Sequence, residues 1–153
     1  LPYRHKVLVA GNHDACLYGA HLDGLDDNVH YLCSSGVEIE GLKFWGVPMF
    51  MEDCMSGKQE QLYAAIPEDT DVLVTHTPPY GILDRDGSIL YGSRVLLERV
   101  RTIRPRLHLF GHIHKSHGTL SDGVTVFSNA AIMDEGYDSL NGPNMLPISA
   151  PEH

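Results

Sequence analysis

The chain has 153 residues, 42% of them hydrophobic and 20% charged, the make-up of an ordinary globular chain of one domain. Twenty acidic against eleven basic residues leave a net charge of −9. That excludes a basic nucleic-acid groove, but not a phosphate-bearing substrate, because bound cations can supply positive charge locally. No apolar run approaches the ~20 residues of a membrane span. Cys16, Cys33 and Cys54 form no C-x-x-C pair; they fit neither a disulfide framework nor a zinc knuckle and suit a reducing, cytoplasmic compartment.

The first predicted strand covers roughly residues 6–10, through Val7-Leu8-Val9-Ala10, and runs into Gly11-Asn12-His13-Asp14. Residues 15–22 suit one or two helical turns, and Asp23 to Asn28 is turn chemistry. The period then becomes two. Strands at 29–32, 37–39 and 42–47, separated by Ser34-Ser35-Gly36 and Glu40-Gly41, read as a β-meander closed by Pro48. Residues 56–66 carry helical spacing, with Leu62, Ala65 and Ile66 on one side. A strand at 71–75 ends in His76, and a long loop follows from Thr77 to Gly92, a length that is usually functional in a compact domain. The clearest helix runs from Ser93, a suitable N-cap, to Arg104 before Pro105, with Val95, Leu96, Val100 and Ile103 as its apolar face. A strand at 107–110 leads into Gly111-His112-Ile113-His114. A hairpin over 118–129 turns at Asp122-Gly123. The domain is expected over 1–133, with an irregular, loosely packed tail over 134–153. Three strands end in site-like residues and at least four do not, which predicts an α/β fold of two packed sheets flanked by helices.

The three strand ends carry the chemistry. Neutral imidazole and a carboxamide oxygen are ligands for Zn, Mn, Fe or Ni. Asn12 does not titrate, so it suits an oxygen ligand rather than a base. His112 and His114 stand at i and i+2, which in an extended chain places them on one face, ~6.6 Å apart along the strand. That spacing suits two imidazoles on one metal, or one on each of a pair of ions ~3.5–4 Å apart. His13 followed by Asp14 suits a general acid, a carboxylate orienting an imidazole. Each motif alone has an ordinary reading: Asn-His-Asp as a turn, His76 as a loop residue. Together, each at the end of an apolar strand, they read as one site. His108, inside an apolar run, reads as a core histidine. His117 suits a solvated loop or the mouth of the site, and His5, His21, His30 and His153 the surface. The cysteines serve as small hydrophobes, with Cys16 a candidate neighbour of the metals.

Gly11-Asn12-His13-Asp14, His76 and Gly111-His112-Ile113-His114 together resemble the calcineurin-like metallophosphoesterases. The stretches from Ile66 to Pro79 and from Arg104 to His112 look like the branch called metallophosphoesterase-domain-containing proteins, which includes cyclic-nucleotide phosphodiesterases. The resemblance covers about Pro2 to Asn129. It implies a two-sheet sandwich with a dinuclear centre of divalent transition ions, Mn foremost, with Fe, Zn or Ni as alternatives. It assigns Asn12, His76 and His112 to the second metal and His114 to the first. It makes His13, supported by Asp14, the group that contacts the phosphate and protonates the leaving group of a small phosphoester. The family's earlier Asp-x-His and Gly-Asp motifs do not occur anywhere in this sequence. The expectation is therefore a carboxyl-terminal part with its first strands missing, carrying about half of the site. It is either the core of a metal-dependent phosphoesterase, an impaired metal-binding fragment, or a module completed by another chain. An open sheet edge would permit self-association.

Overall fold

The computed structural model describes residues 2–149. Leu1 and the last four residues of the expected tail, His153 among them, lie outside the described residues. The chain order is β1 (Lys6–Leu8), a 3-10 turn (Ala15–Leu17), β2 (Val29–Tyr31), β3 (Ser35–Ile39), β4 (Leu42–Val47), α1 (Met51–Ser56) and α2 (Lys58–Ala64). Then come β5 (Val72–Thr75), β6 (Arg85–Asp86), β7 (Ile89–Leu90), α3 (Arg94–Ile103), β8 (Leu107–Phe110), a second 3-10 turn (His114–Ser116), β9 (Gly118–Ser121) and β10 (Val126–Asn129).

The main sheet has six strands in the order β3-β4-β5-β8-β10-β9. Its centre is parallel, from β4 through β5 and β8 to β10, and β3 and β9 are hairpin-bonded antiparallel edges. Apolar runs such as Val72-Leu73-Val74 and Leu107-His108-Leu109 are what a parallel strand covered on both faces needs. One face carries the helices: Leu96, Val100 and Ile103 of α3 and Tyr63 of α2 pack with Val47, Leu73, Phe110 and Phe127 in a single core. The other face meets the chain just beyond β1 and β2. A Cβ added to Gly46 of β4 would lie 2.3 Å from Leu32 Cβ and 2.9 Å from Val9 Cγ2, so only glycine lets the layers approach this closely. The α/β, two-layer expectation therefore holds.

Several expected details do not. The meander is replaced by a crossover: β2 pairs in parallel with β1, Lys6 opposite Val29 and Leu8 opposite Tyr31, and of the meander's three strands β3 and β4 alone pair as a hairpin. Alternating hydrophobicity gives a strand's period but not its partner. The helix expected over 56–66 begins earlier and is two helices, because Gly57 takes a left-handed φ of 76° that ends α1; glycine is the residue for which this is cheap. The long loop contains the short β6–β7 hairpin. Buried Asp84 staples it, its Oδ2 accepting from Gly81 N and Gly92 N, each at 2.9 Å. In α3, Ser93 caps as expected, its Oγ accepting from Leu96 N at 3.1 Å, but Val95 faces solvent.

Residues 134–149 form no helix, and side chains bind this segment to the body. Asn144 Nδ2 donates to Ser128 Oγ at 2.9 Å and Asn129 O at 3.0 Å. Asn141 Nδ2 donates to Ala131 O at 2.9 Å.

Candidate metal centre

Three strand ends meet. The parallel pairing of β5 with β8 sets Val74 opposite Leu109, so the chains leave the sheet side by side, and Gly111 N donates to His76 O at 3.1 Å. The end of β1 is tied in from the other layer by Met49 N donating to Ala10 O at 3.2 Å. Side chains at carboxyl ends of neighbouring parallel strands necessarily share one crevice. Here the crevice is a cleft of about 620 Å³ lined by Asn12, His13, His76, His112 and His114 together with Val7, Leu109 and Met133.

Within it, His76 Nε2 lies 2.8 Å from Asn12 Oδ1 and 3.2 Å from His112 Nδ1. Gly11 makes this approach possible. A Cβ there would stand 2.5 Å from His76 Cε1 and 2.6 Å from Nδ1. Burial favours the neutral imidazole at both His76 and His112. Burial pushes His76 down to about 4, the His112 ring adding to the effect and the Asp14 carboxylate opposing it. Burial likewise lowers His112, followed by His114 and His13. Neutral rings are the ligand-competent form.

The donor set fits a divalent cation. A single N–H on His76 cannot point along both the Asn12 and the His112 directions, so the trio presents more lone pairs than protons. Two N or O ligands about 2.0–2.2 Å from one ion stand roughly 3 Å apart, the spacing seen. Among the described residues no three His, Cys, Asp or Glu side chains are grouped to hold a metal; the convergent trio owes its third member to a carboxamide.

The remaining expected residues are placed differently. His112 is not in an extended strand: its φ is 71°, and His114 opens a 3-10 turn. The i, i+2 same-face argument therefore fails, and the two rings enter the cleft through a left-handed kink instead. His114 Nδ1 faces Asp134 O at 3.1 Å. The carboxylate of Asp14 accepts from Gly11 N at 2.7 Å. It closes the Gly11–Asp14 turn, and among the described residues no hydrogen bond joins it to His13. His13 is exposed at the rim.

Two supporting residues are not expected from the sequence. Asn129, wholly buried at the end of β10, donates from Nδ2 to Ile113 O at 2.8 Å and Leu83 O at 2.9 Å and accepts from Ala131 N at 3.1 Å. It thereby pins the peptide between His112 and His114. Tyr137 packs edge-on against His114 with centroids 5.0 Å apart. Asn129 ends a predicted strand but belongs to no motif, and Tyr137 lies in a stretch without periodicity. His108 is a core residue as expected, with Nε2 2.9 Å from Thr75 Oγ1, but its Nδ1 is buried without a partner.

Residues 1–116 match the family model described as calcineurin-like phosphoesterase. A UPF0046 protein of Caenorhabditis elegans is 40% identical over 88% of this chain and 54% of its own length. Human metallophosphoesterase domain-containing protein 1 is 30% identical, covering 100% of this chain and 58% of the relative. One solved crystal structure aligns over 82% of this chain and 56% of that chain with a TM-score of 0.57 at 18% identity, a likeness of fold. The chain spans little more than half the length of these relatives.

Proposed function

This chain belongs to the calcineurin-like phosphoesterase family, and from that premise we propose that its cleft serves metal-dependent hydrolysis of a small phosphodiester. Such proteins generally use divalent metals. In this reading Asn12, His76 and His112 hold one ion, Mn before Fe, Zn or Ni, and His114 belongs to a second. The single observation that carries it is the convergence of Asn12 Oδ1 and His112 Nδ1 on His76 Nε2. A bound cation supplies charge neutralisation at phosphate and a nucleophile at neutral pH. In the same reading His13, which is exposed at the rim, gives a proton to the leaving oxygen. Asp14 acts through the backbone, closing the turn that carries Asn12 and His13.

The chain carries about half of such a site, since its sequence holds neither an Asp-x-His nor a Gly-Asp motif and the cleft has no carboxylate among its lining residues. Three free thiols agree with a reducing, cytoplasmic setting, and among the described residues no helix is long and apolar enough to cross a membrane. Association along β1 is a second reading. Among the described residues β1 is bonded on one side only, and Leu8 within it is 47% exposed.

The test is hydrolysis of bis-p-nitrophenyl phosphate with Mn²⁺, by this chain and by a protein extended to the length of its relatives. The extended protein should turn over and this chain should be far slower. His13→Ala in the extended protein should lose most activity and keep its metal content. Loss of metal instead would make His13 a ligand. Sedimentation at several concentrations checks the β1 edge, a persistent monomer counting against it.

A further inference from the structure

We propose that the turn over Asp134 to Tyr137 is a positioning element of the site, which fixes the tautomer and ring plane of His114. The inference rests on reading His114 as a metal ligand only for its purpose, not for its geometry. Asp134 O is an acceptor and nothing else, so the ring nitrogen 3.1 Å away, His114 Nδ1, carries the proton. The neutral ring then presents its lone pair at Nε2. An imidazole ligand commonly owes its orientation to such an outer partner, and here the partner comes from the segment that the sequence reads as an irregular tail.

The turn is built to hold that carbonyl. Asp134 O also accepts from Tyr137 N at 3.2 Å, while Asp134 N donates to Ser139 O at 3.1 Å. The Asp134 carboxylate receives Asp138 N at 2.9 Å and the Ser139 hydroxyl. The next residue, Glu135, pairs with Lys115, whose ammonium also lies 2.7 Å from Asp86 Oδ1. One lysine beside His114 thus ties the turn to the β6–β7 hairpin.

Tyr137 adds a second constraint. Its φ is 58°, a left-handed conformation that costs a bulky residue energy and persists only where the surroundings impose it. What the conformation achieves is an edge-on contact with His114, centroids 5.0 Å apart, although the tyrosine is 63% exposed. The ring also lines both the main cleft and a neighbouring one of about 260 Å³ shared by Tyr91, His112 and His114. A tyrosine seeking only burial has no reason to sit there.

The test is the ring ¹H–¹⁵N spectrum of His114 in the metal-free 153-residue chain above pH 8. The expected result is a proton at Nδ1 and a bare Nε2. Asp134→Ala, which unties the turn, should shift His114 to a mixed population dominated by the Nε2–H form preferred by free histidine. Tyr137→Ala should shift it part of the way, and Tyr137→Phe should restore the wild-type pattern. The His76 and His112 signals should stay in place in all three variants, which separates positioning from general loss of structure. A wild-type His114 protonated at Nε2, or an unchanged tautomer in Asp134→Ala, overturns the proposal. Because no metal is present, either failure leaves the ligand reading to its own titration.

Discussion

Two glycines precede the two histidine motifs, and the structure predicts opposite fates for them on substitution by alanine. At Gly11 the new Cβ would lie 2.5 Å from His76 Cε1 and 2.6 Å from Nδ1. Unstrained carbon contacts are about 3.5–4.0 Å, so the ring must retreat by roughly 1 Å. The 2.8 Å contact between His76 Nε2 and Asn12 Oδ1 then leaves both hydrogen-bonding and ligand range. Overpacking of this kind costs about 1–3 kcal/mol, and each 1.4 kcal/mol withdrawn from binding is roughly tenfold in affinity. Gly11→Ala should therefore lower Mn²⁺ or Zn²⁺ affinity at least tenfold and reduce stability by roughly 1–3 kcal/mol. At Gly111 a Cβ would meet only Ala131 N at 3.8 Å and Cα at 3.9 Å, ordinary contact distances. Gly111→Ala should leave metal affinity within about twofold of the parent. Isothermal titration and urea unfolding of the two variants side by side provide the comparison. Equal affinities for Gly11→Ala and the parent, or equal damage from both alanines, would refute the steric reasoning.

Three further outcomes follow from buried polar groups. His108 is fully buried and its pKa is lowered to about 3 by desolvation. A depressed histidine adds stability above its unfolded pKa of about 6.5 and loses it as pH falls toward the folded value. Unfolding free energies from urea curves should therefore drop between pH 6.5 and pH 3, by about 1.4 kcal/mol per pH unit for each such group, and His108→Gln should remove its share of that slope. Asn129→Ala should destabilise by roughly 2–4 kcal/mol, because it strands buried Ile113 O and Ala131 N and part-buried Leu83 O; chemical denaturation reads the change. Asp84→Ala should speed amide exchange at Gly81 and Gly92 by tenfold or more, as both lose their shared acceptor; unchanged protection there would show that the loop has another support.

The parts that could be read from sequence are those decided locally. The apolar runs at 72–75 and 107–110, the Ser93 cap and the Pro105 stop each settle an element by nearby residues, and the structure has them within a residue or two. His76, His112 and His114 come together because the parallel strands β5 and β8 leave the main sheet at one edge, and Asn12 reaches the same cleft from β1 in the other layer. What escaped depends on distant partners or on backbone sign. β2 joins β1 because a crossover places it there, which the alternation of Val29-His30-Tyr31-Leu32 does not encode. The left-handed φ at His112 belongs to a histidine rather than a glycine, so no residue type announced it. Asp84 and Asp134 are single polar residues in aperiodic stretches and Asn129 is the last residue of a predicted strand; only their hydrogen-bond partners give them meaning.

Co²⁺ titration of the 153-residue chain, followed by absorption and by ring ¹⁵N shifts, tests most directly whether Asn12, His76 and His112 form one cation site. His76 and His112 should shift together on one bound ion, and His76→Ala and Asn12→Ala should each weaken binding tenfold or more. Binding of undiminished strength in both variants, or an ion that moves neither imidazole, would contradict a single shared site.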